Sequence, residues 1–176
     1  IPYITEIDVS NLYPLKITDI TKDLKSICFD IETDYDNDLQ IYLESPDGKI
    51  LELTTNNGGS GKNYANTCFS PKANISIKNG IAPFNNVYLP EGNWSDLNNC
   101  SINGKWKLKV SDAFGAGIFG LLKSWKITFN AQNQYKYSWS PPSEISCTNC
   151  SNPNVSPSKS TNYIVNISDL YGCSFT

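Results

Sequence analysis

The chain contains no histidine and no arginine. Without histidine it cannot supply, on its own, a Ser-His-Asp or Cys-His catalytic centre or a histidine-containing metal site. Without arginine it lacks the side chain best suited to bidentate binding of phosphate or carboxylate groups. These two absences remove many familiar hydrolase centres and metal sites from the functions open to this chain.

The charge balance is slightly acidic, with 14 lysines against 17 acidic residues and a net charge of −3. Such a balance produces no field that attracts nucleic acid or an anionic membrane, so we expect neither as a partner. No apolar run reaches the length that a membrane-spanning helix requires, and we expect no membrane insertion. The hydrophobic fraction of 39% is typical of a globular protein.

Six cysteines in a chain of this length are typical of an oxidising compartment rather than of the cytosol. The chain begins at Ile1 and contains no methionine, and we interpret it as part of a longer polypeptide. We therefore expect a secreted or cell-surface location, with neighbouring domains of the same chain as partners.

Alternating apolar and polar residues predict β-strands in five segments: 27–31, 38–44, 49–54, 105–110 and 124–129. Turn residues separate these segments, and Ser45-Pro46-Asp47-Gly48 predicts a hairpin between two of them. Short strands with frequent turns predict an all-β fold, an antiparallel β-sandwich.

Three lysines, Lys105, Lys107 and Lys109, alternate with the apolar residues of one strand. They could form a patch for polyanions, but we interpret them as the solvated face of an edge strand, where lysine also discourages aggregation. The segment 17–26 is likewise predicted to be an edge strand.

Residues 115–120 match the G-x-G-x-x-G pattern of dinucleotide-binding enzymes. That pattern holds a cofactor only where it ends a strand and opens a helix, with an acidic residue about 20 positions later. Here a strand-like segment begins at Ser124, and position 140 is a serine. We interpret these glycines as part of a hairpin loop, where positive φ angles are useful.

Three spaced motifs occur in order: D-L-x-I-x-L-x-S-P-x-G at 38–48, G-x-W-x-L-x-V-x-D at 104–112 and G-x-L-x-x-W-x-I-x-F at 120–129. Through them, residues 1–131 resemble the P domain, or homoB domain, that follows the protease domain of subtilisin-like proprotein convertases. The resemblance implies a galactose-binding-like jelly-roll sandwich that is not itself catalytic. Many relatives carry His-Thr where this chain has Glu32-Thr33, so any role of that histidine is absent.

The remaining residues, 132–176, resemble part of the Ig-like or PKD-like repeats of secreted Bacteroidetes proteins. The resemblance rests on W-S-P, C-x-x-C-x-x-P, T-x-Y-x-V and G-C, in that order between positions 139 and 173. A segment this short rarely folds unaided, so it either packs on the P domain or belongs to a larger module.

Acidic residues alternate at Asp34, Asp36 and Asp38, and such a loop can supply several of the oxygen ligands that Ca²⁺ prefers. Glu91 and Asp112 are further candidates to complete the shell from across the sandwich. Jelly rolls similar to P domains often carry a structural calcium, which favours calcium as a cofactor here. The alternative is a solvated acidic loop whose carboxylates cap turns.

Aromatic residues in polar, asparagine-rich stretches are candidates for stacking on sugar rings. Tyr64, Tyr88 and Trp94 are the ligand-binding candidates, and Phe84 and Phe119 lie in similar stretches. Loop aromatics also commonly fold back to close the ends of a sandwich, so both interpretations stay open.

The six cysteines allow many pairings, so sequence alone does not define the disulfides. Relatives with cysteines at the I-C-F and T-C-F positions imply a Cys28–Cys68 disulfide. Cys100 then bonds to a cysteine of residues 132–176 or stays free. Zinc bound by Cys147, Cys150 and a third thiolate is an alternative that a secreted location disfavours.

Together these features predict a non-catalytic module of a secreted or cell-surface multidomain bacterial protein, with a stabilising, spacing or adhesive role and calcium as a stiffening ion. A carbohydrate-binding module, with glycans or surface proteins as partners, is one alternative. An accessory domain of a secreted protease is another. An enzyme in its own right, such as a glycosidase with paired carboxylates, ranks last.

Overall fold

The computed structural model describes residues 2–114, 120–130 and 135–168, together with the backbone of 174–175. The chain separates into two compact units, residues 1–131 and residues 132–176. The described part of the first unit contains two four-stranded sheets, and that of the second contains a three-stranded sheet. Among the described residues, no helix has the length and apolar character needed to cross a membrane.

The first unit is built almost entirely from strands. In chain order its elements are β1 (Tyr3–Val9), α1 (Ile20–Asp23), β2 (Leu24–Glu32), β3 (Leu39–Glu44), β4 (Ile50–Thr55), β5 (Tyr64–Phe69), β6 (Val87–Tyr88), β7 (Gly104–Asp112) and β8 (Leu121–Phe129). Short 3-10 helices lie at Asp36–Asp38, Ile77–Asn79 and Trp94–Leu97.

The strands form one sheet in the order β1-β7-β3-β4 and a second in the order β6-β5-β2-β8. Neighbouring strands are antiparallel except β5 and β6, which are parallel. The prediction of an all-β sandwich is confirmed. Because β2 and β3 belong to different sheets, as do β4 and β5, the segments 33–38 and 56–63 each pass from one sheet to the other.

Large apolar side chains fill the space between the sheets. On β3 the two-residue period directs Leu39, Ile41 and Leu43 inward, each no more than 5% exposed. Trp106 of β7 is fully buried, and its indole N–H donates a hydrogen bond to the carbonyl oxygen of Ile102 at 2.8 Å. This bond satisfies a donor that would otherwise be buried unpaired, at a cost of about 1–3 kcal/mol.

The lysine-bearing strand β7 lies inside its sheet, between β1 and β3, so the predicted edge strand is wrong. Its lysines pair with acidic residues of the two neighbouring strands: Lys105 with Glu6 at 3.0 Å, Lys107 with Glu44 at 3.0 Å, and Lys109 also with Glu44. Opposite charges on adjacent strands stabilise a sheet. Each of these three lysines therefore has an acidic partner on a neighbouring strand of the same sheet.

The segment 17–26 is not a single edge strand, which corrects a second prediction. Asp19 begins the helix α1 by accepting a hydrogen bond from the Thr21 N–H at 3.0 Å. The Asp23 carboxylate accepts from the N–H groups of Thr18 and Asp19 at 2.8 and 2.9 Å. Such local bonds compete with strand pairing, and β2 begins only at Leu24.

Of the two hairpins predicted from the sequence, the structure contains one and not the other. The predicted β3–β4 hairpin is confirmed, with the Ser45 N–H bonded to the Lys49 carbonyl oxygen at 2.8 Å. The segment between β7 and β8 is not a hairpin, because β7 lies in one sheet and β8 pairs with β2 in the other. Residues 115–119 themselves lie outside the described residues.

The second unit contains β9 (Lys136–Ser140), β10 (Ile164–Ser168) and β11 (Ser174–Phe175), antiparallel in the order β11-β10-β9. The Trp139 indole N–H donates to the carbonyl oxygen of Cys150 at 2.9 Å. Cys147 and Cys150 form a disulfide, so these two residues offer no free thiolates for the zinc site considered above. Cys173 lies outside the described residues.

Candidate functional site

Asp36 carries a fully buried carboxylate. The residue opens the 3-10 helix Asp36–Asp38 between β2 and β3, and its relative exposure is 0%. Neither of its side-chain oxygens has a hydrogen-bond partner among the described residues. An ionised carboxylate in such surroundings is unfavourable unless another group replaces the lost hydration.

The loop between β4 and β5, residues 56–63, contacts Asp36 closely, and we call it the glycine loop. The Gly61 carbonyl oxygen accepts a hydrogen bond from the Asp36 N–H at 3.0 Å. A Cβ atom at Gly58 would lie 2.7 Å from the Asp36 Cβ, and one at Gly61 would lie 3.5 Å from the Asp36 Oδ2. Glycine at position 58 therefore lets the loop backbone approach Asp36, whereas at position 61 a Cβ would be excluded chiefly by the Ala82 Cβ at 2.3 Å.

Burial raises the pKa of Asp36 to about 6. The backbone N–H of Asn63 lies near enough to offset part of this increase, although it does not reach hydrogen-bonding geometry. The carboxylate is therefore held in an environment that disfavours its charged form.

Lys62, within the glycine loop, does not neutralise Asp36. Its Nζ contacts the Asp34 carboxylate at 2.7 Å, where the two side chains are 62% and 64% exposed. A surface depression of about 430 Å³ is lined in part by Asp34, Lys62 and Asn63. Asp34 thus belongs to a solvated ion pair, while Asp36, two residues later, is buried without one.

Glu91 is occupied by three partners of its own. It accepts hydrogen bonds from the Thr55 N–H at 2.7 Å and from the Asn57 side chain, and it pairs with Lys78 at 2.9 Å. Burial by itself would raise the pKa of Glu91, but Lys78, Thr55 and Asn57 together lower it. Glu91 is thus a satisfied carboxylate that anchors the segment before it to β4.

The two remaining candidate ligands also have local contacts. The Asp112 carboxylate accepts a hydrogen bond from the Phe114 N–H at 2.8 Å, and the Asp38 carbonyl oxygen accepts one from the Ala113 N–H at 2.7 Å. Within the described residues no three His, Cys, Asp or Glu side chains are grouped to hold a metal ion. The five-carboxylate shell stays a prediction, and within the described residues Asp36 is the one of these five with a buried carboxylate and no hydrogen-bond partner.

The sequence model of the proprotein convertase P-domain family matches residues 25–129, from β2 to the end of β8. The match covers more than half of the chain. The chain belongs to the proprotein convertase P-domain family. A comparison with curated proteins gives no match.

In proprotein convertases the P domain is a non-catalytic accessory domain, and the family match and the fold support such a module in residues 25–129. P domains are found in secreted proteins, and secretion is compatible with this chain. Residues 132–176 lie outside the family match, and their similarity to Ig-like or PKD-like repeats stays a prediction.

Two of the three aromatic candidates for sugar binding lie in the core of the P domain. Tyr64 is 0% exposed and stacks on Phe84 with ring centroids 4.8 Å apart, and Tyr88 is 4% exposed. Their burial agrees with the second interpretation given above, in which loop aromatics fold back to close the sandwich. Trp94 is half-buried and borders a surface depression of about 280 Å³ with Glu91 and Asn93. Phe119 lies outside the described residues.

The three cysteines of the P domain differ in their bonding state. Cys28 and Cys68 face each other on β2 and β5 and form a disulfide, with Cα atoms 4.0 Å apart. Cys100 is a free thiol with 0% exposure, and burial raises its pKa to about 11. The thiol of Cys100 is therefore protonated and shielded at neutral pH.

Sequence reasoning missed the glycine loop as part of a site. Its signal was the run N-N-G-G-S-G-K-N at 56–63, in which glycines indicate positive φ angles or close backbone approach. Gly58 and Gly59 do have positive φ angles, of 97° and 57°. The sequence could not show which residue the loop approaches, because Asp36 lies 20 or more positions away.

Proposed function

We propose that this P domain stabilises and spaces neighbouring domains of a secreted or cell-surface multidomain protein, and that calcium stiffens it. The observation that carries this proposal is the family match over residues 25–129, which run from β2 to the end of β8 in the two-sheet sandwich. A non-catalytic domain that abuts another domain can stabilise it only if the domain itself keeps its shape. The internal packing of this sandwich supplies that property.

Two features supply this rigidity. Phe29 of β2 packs against Tyr64 and Phe69 of β5 with ring centroids 5.7 and 5.8 Å apart. The Cys28–Cys68 disulfide joins the same two strands covalently. Aromatic burial and a crosslink both favour a single folded geometry, because they lower the population of open states.

The proposal is tested by removing residues 1–131 from the parent polypeptide and measuring the melting temperature of the domains that remain. We expect a decrease of several degrees and faster proteolysis of those domains. Replacing the module with an unrelated sandwich of similar size is the control: rescue would indicate spacing alone, whereas failure to rescue would indicate specific stabilisation. An unchanged melting temperature and proteolysis rate after deletion would contradict the proposal.

The surroundings of Asp36 support the calcium part of the proposal. Ca²⁺ binds carboxylate and peptide carbonyl oxygens, and it supplies a positive charge that the protein around Asp36 lacks. Of the five carboxylates first considered, Asp34 and Glu91 are engaged by lysines. Asp36 is buried without a partner, which supports its loop as the place where an ion would act.

Carbohydrate binding is the second candidate function, and the depression beside Trp94 favours it. An indole ring next to amide and carboxylate groups is a common arrangement for stacking on a sugar ring. Binding of the whole chain to a glycan panel, lost in Trp94→Ala and retained in Tyr88→Phe, would establish this function. If the chain binds no glycan of the panel, the stabilising role is the better explanation.

An accessory role beside a protease is the narrower form of the same proposal. It would apply if the parent polypeptide carries a protease domain next to this module. The half-life of that protease activity at elevated temperature, measured with and without residues 1–131, tests it. Equal half-lives would contradict the narrower form and leave a spacing role intact.

A further inference from the structure

We propose that Asp36 and the glycine loop, residues 56–63, form a buried Ca²⁺ site with the Asp36 carboxylate as its central ligand. The inference rests on the proposed calcium stiffening, which it locates at one end of the sandwich. The site differs from the acidic cluster that the sequence presents, because it uses one carboxylate and backbone oxygens.

The burial of the Asp36 carboxylate favours a bound cation. Asp36 is 0% exposed, and both of its side-chain oxygens are without hydrogen-bond partners in the described part of the chain. Buried carboxylates are normally paired, hydrogen-bonded or bound to a metal. An ion that binds both oxygens would satisfy this group.

The composition of the glycine loop also favours a bound cation. Gly58 and Gly61 leave no side chain between the loop backbone and Asp36, as the distances from their hypothetical Cβ atoms show. Two adjacent positive φ angles, at Gly58 and Gly59, turn successive peptide groups in different directions. The Gly61 carbonyl oxygen lies at the site, where it accepts a hydrogen bond from the Asp36 N–H at 3.0 Å. Ca²⁺ accepts peptide carbonyl oxygens readily, together with water, to reach six to eight oxygens.

Lys62 and Lys78 are already paired with carboxylates other than Asp36. Lys62 contacts Asp34 at 2.7 Å, and Lys78 contacts Glu91 at 2.9 Å. Neither pairs with Asp36, so its negative charge has no ammonium partner in the described residues. A bound cation supplies the missing charge.

The position of the site explains how an ion would stiffen the module. Segment 33–38 joins β2 of one sheet to β3 of the other, and the glycine loop joins β4 to β5 in the reverse direction. The hydrogen bond from Asp36 to Gly61 already links these two crossings at 3.0 Å. An ion held by both would add a second link between the sheets, independent of the disulfide within one sheet.

The test is a thermal melt of the whole 176-residue chain, first dialysed extensively against EDTA, in EDTA and in millimolar CaCl₂. At free Ca²⁺ of about 100 times the dissociation constant, we expect the wild-type midpoint to rise by roughly 5–10 °C. In Asp36→Asn the shift should disappear. The same variant should melt above wild type in EDTA, because the amide removes an uncompensated buried charge.

Asp34→Asn is the matched control, since it removes a carboxylate of the same cluster that is exposed and paired with Lys62. It should keep the full calcium shift. Cleavage after Lys62 by a lysine-specific protease gives a second measurement that does not depend on global unfolding. Calcium should slow this cleavage severalfold in wild type and leave it unchanged in Asp36→Asn.

The outcomes separate the site from the broader function. A calcium shift that survives in Asp36→Asn would overturn this site and leave calcium stiffening at another place. The absence of a shift and of protection in wild type would overturn calcium binding altogether. The stabilising role of the module would still be decided by the deletion of residues 1–131 from the parent polypeptide.

Discussion

The backbone N–H of Asp36 donates a hydrogen bond to the carbonyl oxygen of Gly61 at 3.0 Å, although the two residues lie in different crossings of the sandwich. This bond places the glycine loop against a carboxylate that has 0% exposure. At Gly58 a larger residue would overlap Asp36, because its Cβ would lie 2.7 Å from the Asp36 Cβ.

Gly58→Ala should destabilise the module strongly. Its added Cβ would lie 2.7 Å from the Asp36 Cβ and 2.8 Å from the Phe84 ring, at a backbone φ of 97°. Overpacking and backbone strain together should lower the free energy of unfolding by about 2–4 kcal/mol. Gly59→Ala is the control, because it has positive φ but no atom within 4 Å of its Cβ, and it should cost about 1 kcal/mol. Equal losses in urea denaturation would show that contact with Asp36 is unimportant.

Removing the Cys28–Cys68 disulfide, by changing both residues to alanine, should lower the free energy of unfolding by about 4 kcal/mol. The bond closes a loop of 40 residues, so its loss restores considerable entropy to the unfolded chain. Replacing Cys147 and Cys150 in the second unit should cost less, because only 3 positions separate them. Urea titrations of both double variants measure the difference, and the opposite ranking would contradict this account.

Cys100 should resist alkylation in the folded protein. Its thiol is fully buried, and burial raises its pKa to about 11, so the reactive thiolate is scarce at pH 8. Iodoacetamide should modify it only after denaturation, as peptide mass mapping of the Cys100 peptide would show. Rapid modification under native conditions would mean that the 97–102 segment opens far more often than its burial indicates.

Glu44→Gln should weaken the module at neutral pH but not in strong acid. Hydrogen bonds from Lys109 and Lys107 lower the pKa of Glu44, whose side chain is 14% exposed. A lowered folded-state pKa means that this stabilisation exists above the unfolded value of about 4.3 and is lost as the pH falls through the folded-state pKa. We expect a loss of about 1 kcal/mol at pH 7 that shrinks as the pH falls below the unfolded value and through the lower folded-state pKa.

The matched control for that experiment is Glu6→Gln. Glu6 makes one contact to Lys105, and its side chain is 41% exposed, so solvent screens the interaction. Its loss should change the free energy of unfolding by less than about 0.5 kcal/mol at every pH. A Glu6 effect as large as that of Glu44 would show that burial does not set the strength of these pairs.

Several elements were predictable because local pattern determined them. The alternation in 38–44 predicts an inward face, and Leu39, Ile41 and Leu43 are indeed buried. The Pro-Asp-Gly turn after Ser45 predicts a tight hairpin, which the structure contains. In both cases, neighbouring residues along the chain carry the information.

Partner choice between strands was not predictable in this way. The lysines of β7 indicated an edge strand, yet the strand lies between β1 and β3, where its lysines pair with Glu6 and Glu44. The alternation of β8 suggested a hairpin with β7, yet β8 pairs with β2. A two-residue period specifies which face is buried but not which strand lies alongside.

The sequence by itself determined the fold class, the family, the absence of histidine chemistry and the presence of an acidic segment and of a glycine-rich segment. Composition, strand period and ordered motifs are properties that can be read from the sequence without a structure. Only the tertiary structure decided which carboxylate of Asp34, Asp36 and Asp38 is buried. The physical reason is that burial depends on contacts between distant segments, here the approach of Gly58 and Gly61 to Asp36, and no local pattern encodes that approach.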